Sequence, residues 1–274
     1  MKRTTVKPYA NFPSSEMSDL RAKLDRYYSS SNEYKAFAEP SQQENCWNNM
    51  KTSILKKIKE SSNKKINILE IGAGKSGFGN YLKTLGIREN INWIVQDVTC
   101  QNSSWLESNA DVVYYSDISK INNTNIDIIF STYVLEHVTD PIAHLNKIEN
   151  LLNPEGIIYI FCPRYDIPGY LCPSSRHLNI IDKTFLLFDW AYARFISYVQ
   201  SKPVFLIQTD LAVFYKPYFI DADAVHWVSL HDLKLWGRSK GFLIERLKTA
   251  NSKKFQKDWL VKNYLTCALK FYKR

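Results

Sequence analysis

Ile66-Asn67-Ile68-Leu69-Glu70-Ile71-Gly72-Ala73-Gly74-Lys75-Ser76-Gly77-Phe78-Gly79 is the stretch that decides the fold. Its first half is a short apolar run with an acid near its end, which reads as a buried parallel strand. Glycines at 72 and 74 then let backbone approach a ligand that a side chain would block. Asn80 to Leu85 continue with helical spacing, and the amides that open such a helix face the same ligand. Strand, glycine turn and helix together make the ligand-binding corner of a doubly wound sheet.

Two ligands fit that corner, a dinucleotide or S-adenosylmethionine. Gly72-x-Gly74-x-x-Gly77 matches the dinucleotide fingerprint, and Asp97 lies 20 residues beyond Gly77. Glu70, just before the first glycine, counts against the dinucleotide, and the chain further on decides.

Strand patterns recur at 91–97, 110–115 and 126–131, with helical patterns at 77–86, 103–109 and 140–152 between and after them. Asp140-Pro141 opens the last of these helices, the acid as cap and proline in the first turn. Asn153-Pro154-Glu155-Gly156 reads as a tight turn into a fifth strand, 157–162. Strands alternating with helices predict a parallel sheet. The alternation stops at 163–228, an aromatic stretch with five prolines and one helix, Phe185 to Val199. It is too long for a structureless loop and reads as a cap over the sheet's carboxyl edge. A helix at 229–240 and strands at 242–247 and 264–272 complete the core. Upstream, 1–16 reads as a polar arm, followed by helices at 18–28 and 42–60, with Pro40-Ser41 marking the start of the second. Tyr27, Tyr28, Tyr34 and Phe37 form an aromatic group that packs a core or closes over a ligand.

From the fourth strand onward the sequence resembles the class I S-adenosylmethionine-dependent methyltransferases, nearest to the small-molecule branch of ubiquinone-pathway and polysaccharide-cluster enzymes. Ile68-Leu69-Glu70-Ile71-Gly72-Ala73-Gly74, Ser131-Thr132-Tyr133-Val134-Leu135-Glu136-His137-Val138-Thr139-Asp140-Pro141 and Leu151-Leu152-Asn153-Pro154-Glu155-Gly156 carry the likeness. One departure is that Ser76 stands where such families place their third glycine. The resemblance implies an α/β, doubly wound, seven-stranded Rossmann-like sheet with its last strand antiparallel, N-terminal helices, and a helical, aromatic cap after strand five. The implied organisation is arm and helices at 1–64, cofactor core at 65–162, cap at 163–228 and core completion at 229–274.

It also implies roles. Glu70, Gly72, Ala73 and Gly74 line the methionine end of S-adenosylmethionine. Asp97 receives the ribose hydroxyls, and Asp117 with Ile118 holds the adenine amine, although Asp117 equally suits a helix cap. Ser131 and Tyr133 lie beside the transferable methyl. Methylating a hydroxyl requires removal of its proton, and a histidine suits that task. His137 and His177 are the candidates, with Asp166 beside them, while Arg164 and Tyr165 grip a polar acceptor. Glu136 and His137 equally suit holding their loop in shape.

The expected reaction is O-methylation of a small-molecule or carbohydrate acceptor, with no metal-ligating residues singled out and metal dependence and oligomeric state open. RNA methylation and an NAD-binding enzyme are the alternatives. Net charge is +9, much of it on scattered lysines such as Lys56, Lys57, Lys253, Lys254, Lys257 and Lys262, which reads as a solvated basic surface. Nucleic acid is therefore disfavoured. The Asp/Asn-Pro-Pro-Tyr/Phe of amino-methylating DNA enzymes and the Pro-Cys of cytosine-C5 enzymes are both missing. Five irregularly spaced cysteines without C-x-x-C suggest reduced thiols and a cytoplasmic location. No apolar run suits a signal peptide or a bilayer span.

Overall fold

The computed structural model describes residues 6–30, 39–62, 64–122, 125–248 and 264–273. Tyr34, Phe37, Lys253, Lys254, Lys257 and Lys262 lie outside the described residues. The chain divides into two units, one made of 1–34, 135–142 and 163–240, the other of 35–134, 143–162 and 241–274.

The second unit holds a seven-stranded sheet. Its strands are β2 (Ile66–Ile71), β3 (Ile91–Asp97), β4 (Val112–Tyr115), β5 (Ile126–Thr132), β6 (Leu152–Pro163), β9 (Leu243–Arg246) and β10 (Thr266–Tyr272), in the order β4-β3-β2-β5-β6-β10-β9. Pairing from β4 through β6 is parallel, and β10 runs antiparallel to β9. The predicted sheet is therefore present, with its switch point between β2 and β5. Helices α2 (Glu44–Glu60), α3 (Phe78–Thr84), α4 (Ser103–Asn109) and α5 (Pro141–Leu151) connect or flank the strands. Trp47, Met50, Phe78, Trp93, Phe130, Tyr159 and Phe161 bury together as its core. Each such side chain contributes about 1.5–3 kcal/mol.

Two expectations are corrected here. Asn153-Pro154-Glu155-Gly156 is not a turn between elements but part of β6. Pairing with β5 shifts from Ile126↔Leu152 to Ile128↔Ile157, so the extra residues form a bulge. A Cβ on Gly156 would lie 2.4 Å from the Leu152 side chain, which explains the glycine there. Ser41 does not open α2. It pairs with Ser76, accepting from Gly77 N–H and donating its own N–H to the Lys75 carbonyl. A Cβ on Gly77 would fall 2.4 Å from the Ser41 carbonyl oxygen, so the third glycine sits where this strap crosses.

The first unit carries an antiparallel sheet, β1 (Val6–Pro8), β7 (Leu206–Gln208) and β8 (His226–Trp227), in the order β1-β7-β8. A strand thus stands where a polar arm is expected. Helices α1 (Ser14–Ser30), α6 (Ile180–Gln200) and α7 (Leu230–Ser239) accompany it. Two clusters fill this unit, one around Tyr165, Leu186, Leu206 and Trp227, the other around Leu20, Leu24, Ile207 and Val225. Asp232 organises it, accepting from buried Arg194 at 2.6 Å, from Ser197 Oγ at 2.8 Å and from the amides of Val204 and Phe205. Among the described residues no helix is long and apolar enough to cross a membrane.

Candidate active site

In the unit with the seven-stranded sheet, β2 ends in a loop built by positive φ angles. Gly72 has φ +63° and Gly74 φ +55°, conformations that side chains other than glycine adopt at a cost. A Cβ on Gly72 would also lie 2.4 Å from Val134. The loop is fastened to the end of β3. Ala73 N–H donates to the Gln96 carbonyl, Gly72 N–H to Gln96 Oε1 at 3.3 Å and Gly74 N–H to Asp97 Oδ2 at 2.7 Å.

Asp97 is buried at the strand end, and its other oxygen accepts from Thr99 N–H and Oγ1. Oδ1 thus accepts two hydrogen bonds and Oδ2 one, which leaves one lone pair open on Oδ2. Glu70 is buried, and Trp93 Nε1–H donates to it at 3.1 Å. Burial pushes its carboxyl up to about 8, although Ser76 and Trp93 oppose the rise. Asp117 caps a short 3-10 turn by accepting from Ser119 N–H at 2.8 Å, and Ile118 behind it is buried. Ser131 is buried at the end of β5, while Tyr133 has φ +57° and an exposed ring. Trp105 Nε1–H donates to the Ser76 carbonyl, and Lys75 and Asn102 join Trp105 in lining a hollow. A left-handed glycine pair, closed to any side chain and tied to a strand-end acid, fits the methionine-to-ribose portion of S-adenosylmethionine.

The other unit gathers a group of acids around one histidine. Leu135–His137 form a 3-10 turn, and Glu136 and Asp223 are fully buried. His137 Nδ1 lies 3.3 Å from Asp223 Oδ2, which Tyr28 OH also contacts at 2.7 Å. His137 Nε2 faces Glu136 Oε1 at 3.9 Å. Asp221, at φ +61°, accepts from Tyr165 OH at 2.8 Å. The turn is pinned by Val225 N–H donating to the Glu136 carbonyl and by His226 Nδ1 at 3.1 Å from the Leu135 carbonyl.

Burial works against a charge on His137, but Asp223 first and Glu136 next outweigh it and push its pKa up to about 10. Asp223 is driven up by burial, yet the His137 charge holds it below the ordinary carboxylate range. Glu136 moves up to about 8 through burial, opposed by His137 and reinforced by Asp221. Neither Glu136 oxygen has a hydrogen-bond partner among the described residues. Ligand atoms of Glu136, His137 and Asp221 all lie within 4.8 Å of one another, a set that could bridge a cation.

The remaining predicted residues are engaged elsewhere in this unit. Asp166 accepts from Arg164 Nε at 2.6 Å and from Leu230 N–H at 3.0 Å, which fixes the start of α7. His177 Nδ1 lies 3.1 Å from the Ser174 carbonyl and Nε2 3.2 Å from Asp210, with the Tyr215 ring stacked on it. Tyr165 is buried, and burial then Cys172 raise its phenol. Glu136 and His137 thus stand with Asp221, Asp223 and Tyr28, while the hydrogen bonds of Asp166 and His177 go to other partners. Gln96, Asp221 and Asp223 were not anticipated. Gln96 adjoins the strand-end acid, which is a usable signal. Asp221-Ala222-Asp223 meets Glu136 only through a contact spanning more than 80 residues of sequence.

A parallel sheet with a left-handed glycine loop at its switch point, tied to an acid one strand over, defines a class I cofactor-binding fold. The chain belongs to the methyltransferase-domain family, whose match covers residues 46–247, and it is an S-adenosylmethionine-dependent methyltransferase. Among solved structures it is similar to the CurJ carbon methyltransferase at 16% identity and TM-score 0.49, over 93% of this chain and 58% of that one. It is similar to the plantazolicin methyltransferase BpumL with bound SAH at 13% identity and TM-score 0.47, over 95% and 98% of the two chains. The 1,6-didemethyltoxoflavin-N1-methyltransferase of Burkholderia thailandensis matches at 13% identity and TM-score 0.49, over 100% and 96%. Likenesses this distant say nothing of the acceptor. No curated protein matches the sequence.

Proposed function

We propose that the enzyme methylates a hydroxyl of a small-molecule or carbohydrate acceptor, with Glu136 taking the hydroxyl proton. One observation carries the reading: Glu136 is fully buried, and neither carboxylate oxygen has a hydrogen-bond partner among the described residues. A buried acceptor left without a donor is costly, and a substrate O–H relieves that cost. Its pKa, raised to about 8 by burial, gives Glu136 the basicity of a proton acceptor working near neutrality. S-adenosylmethionine supplies the methyl group on a sulfonium sulfur. Within the chain, Gly72, Gly74 and Asp97 hold that cofactor, Glu136 receives the proton, and His137, anchored by Asp223, steadies the carboxylate. His137, one of the two histidines expected as base, is better suited as a fixed cation.

Incubation with methyl-labelled cofactor and pools of sugars, nucleotide sugars and RNA tests this. Label should enter hydroxyl-bearing small molecules, and Glu136→Gln should lower turnover by about 100-fold or more while cofactor binding persists. Label in RNA, or on nitrogen or carbon, would sink the reading. A specific observation, the cation-sized spacing of Glu136, His137 and Asp221, favours a second reading in which a divalent ion activates the hydroxyl. Activity unchanged by EDTA keeps Glu136 as the proton acceptor. Loss restored by a divalent ion would replace it.

A further inference from the structure

Gln96 stands just before the strand-end acid, buried at the carboxyl end of β3. The residues before it, Trp93, Ile94 and Val95, are apolar and fully buried. A buried amide is costly unless both of its ends find partners. Here both do. Gln96 Oε1 accepts from Gly72 N–H at 3.3 Å, and Nε2 donates to the Ser116 carbonyl at 2.6 Å. Gly72 opens the glycine loop after β2, while Ser116 follows β4 and leads into Asp117 and Ile118. One side chain thus ties together two turns that come from different strands.

The backbone repeats the link. Ala73 N–H donates to the Gln96 carbonyl, Gly74 N–H to Asp97 Oδ2, and Ser116 N–H to the Asp97 carbonyl. The amides of 72, 73 and 74 are therefore all bonded to β3, so the loop holds its shape before any ligand arrives. The same bonds take up donors on which a pyrophosphate would rest. Ser116 is gripped through both of its backbone groups, by Asp97 at N–H and by Gln96 at the carbonyl.

The residue type follows from this arrangement. The position needs an acceptor and a donor at the end of one side chain long enough to reach both turns. Glutamine supplies both, whereas an ionised glutamate only accepts and methionine has at most a weak acceptor.

We propose that Gln96 is a positioning residue for the cofactor. It fixes the span between the glycine loop and the turn after β4, so that both ends of S-adenosylmethionine meet their contacts at once. The proposal rests on the reading in which Gly72 to Gly74 meet the methionine end and Asp117 with Ile118 the adenine. Without Gln96 the turns sample wrong separations, and apparent affinity falls with the fraction that stays competent.

Calorimetry of the full chain with S-adenosylhomocysteine and with adenosine tests this, with Asp97→Ala measured alongside. Gln96→Met fills similar space without the two bonds and should weaken S-adenosylhomocysteine by about 5- to 50-fold. Adenosine meets only one of the two turns, so its loss should be about threefold or less. Gln96→Glu adds a signature that packing alone does not produce. A protonated carboxyl again donates and accepts, and burial beside Asp97 favours that form. Relative to wild type at the same pH, Gln96→Glu should bind S-adenosylhomocysteine almost normally at about pH 5.5 and as poorly as Gln96→Met at about pH 8.5. Should Gln96→Met melt below the assay temperature, this pH response decides by itself. Unchanged S-adenosylhomocysteine affinity in folded Gln96→Met, equal losses for the two ligands, or a Gln96→Glu affinity indifferent to pH would each overturn the proposal. Where Asp97→Ala weakens binding and Gln96→Met does not, this proposal alone fails. Where neither does, the placement of the cofactor fails with it.

Discussion

At the scale of single residues, two acids of the seven-stranded sheet behave differently although both sit near strand ends. Asp97 closes the glycine loop through Gly74 N–H, accepts twice from Thr99 and keeps one open lone pair on Oδ2, which the proposed cofactor site would offer to a ribose hydroxyl. Asp97→Ala should weaken cofactor binding by about 1.5–3 kcal/mol, the range for hydrogen bonds to a charged group. Calorimetry with S-adenosylhomocysteine reads this directly, and unchanged affinity in a folded variant would return Asp97 to a purely structural part. Glu70 is instead turned to Trp93 in a buried setting that pushes its carboxyl up to about 8. The folded chain therefore keeps a proton that the unfolded chain releases at ordinary carboxylate pH. The stability tied to that proton is whole below about pH 4.5 and declines as pH rises toward about 8. Glu70→Gln should remove this decline, so the variant gains on the wild type in melting temperature between pH 5 and pH 8. Parallel melting curves for the two proteins would show otherwise.

Among the elements, those built from local pattern were legible and those built from distant pairing were not. The strand at 91–97 and the helix at 103–109 coincide with β3 and α4, because apolar periodicity and boundary residues lie within each segment. β1, β7 and β8 are three residues or fewer, too short for periodicity, and exist because Val6–Pro8 finds Leu206–Gln208 some 200 residues away. The glycine loop was legible from its residues, whereas its strap at Ser41 was not, since the serine's neighbours signal a helix start. Asp232 belongs to the same class of hidden feature. In sequence it sits in the first turn of α7, three residues after the capping Ser229. In the fold it neutralises Arg194, which is 6% exposed, and satisfies two backbone amides. Breaking one partner of such a buried pair typically costs about 3–5 kcal/mol. Asp232→Ala should therefore destabilise the protein by that amount, read by urea denaturation. A loss under 1 kcal/mol would mean Arg194 finds another anion.

For the molecule as a whole, the division into two units separates the residues of the proposed chemistry. Gly72, Gly74, Gln96, Asp97, Ser131 and Tyr133 fall in one unit, and Glu136, His137, Asp221 and Asp223 in the other. The acid cluster was half legible. Glu136 and His137 stand in a recognisable run, while Asp221 and Asp223 join them from the stretch that reads as a cap, with no signal that singles them out. If the first set binds cofactor and the second meets acceptor, ligands should leave separate footprints in amide hydrogen exchange. Saturating S-adenosylhomocysteine, at 100 times its dissociation constant, stabilises a native state by about 2.7 kcal/mol and slows all globally exchanging amides together. Beyond that common effect, the strongest local slowing should fall on 70–77, 96–99 and 131–134, where the loop amides and Asp97 lie. The segments 135–137 and 221–226 should respond further only when acceptor is added. Local protection by the cofactor product that is strongest within 163–228, or missing from 70–77, would show that the chain divides these tasks differently.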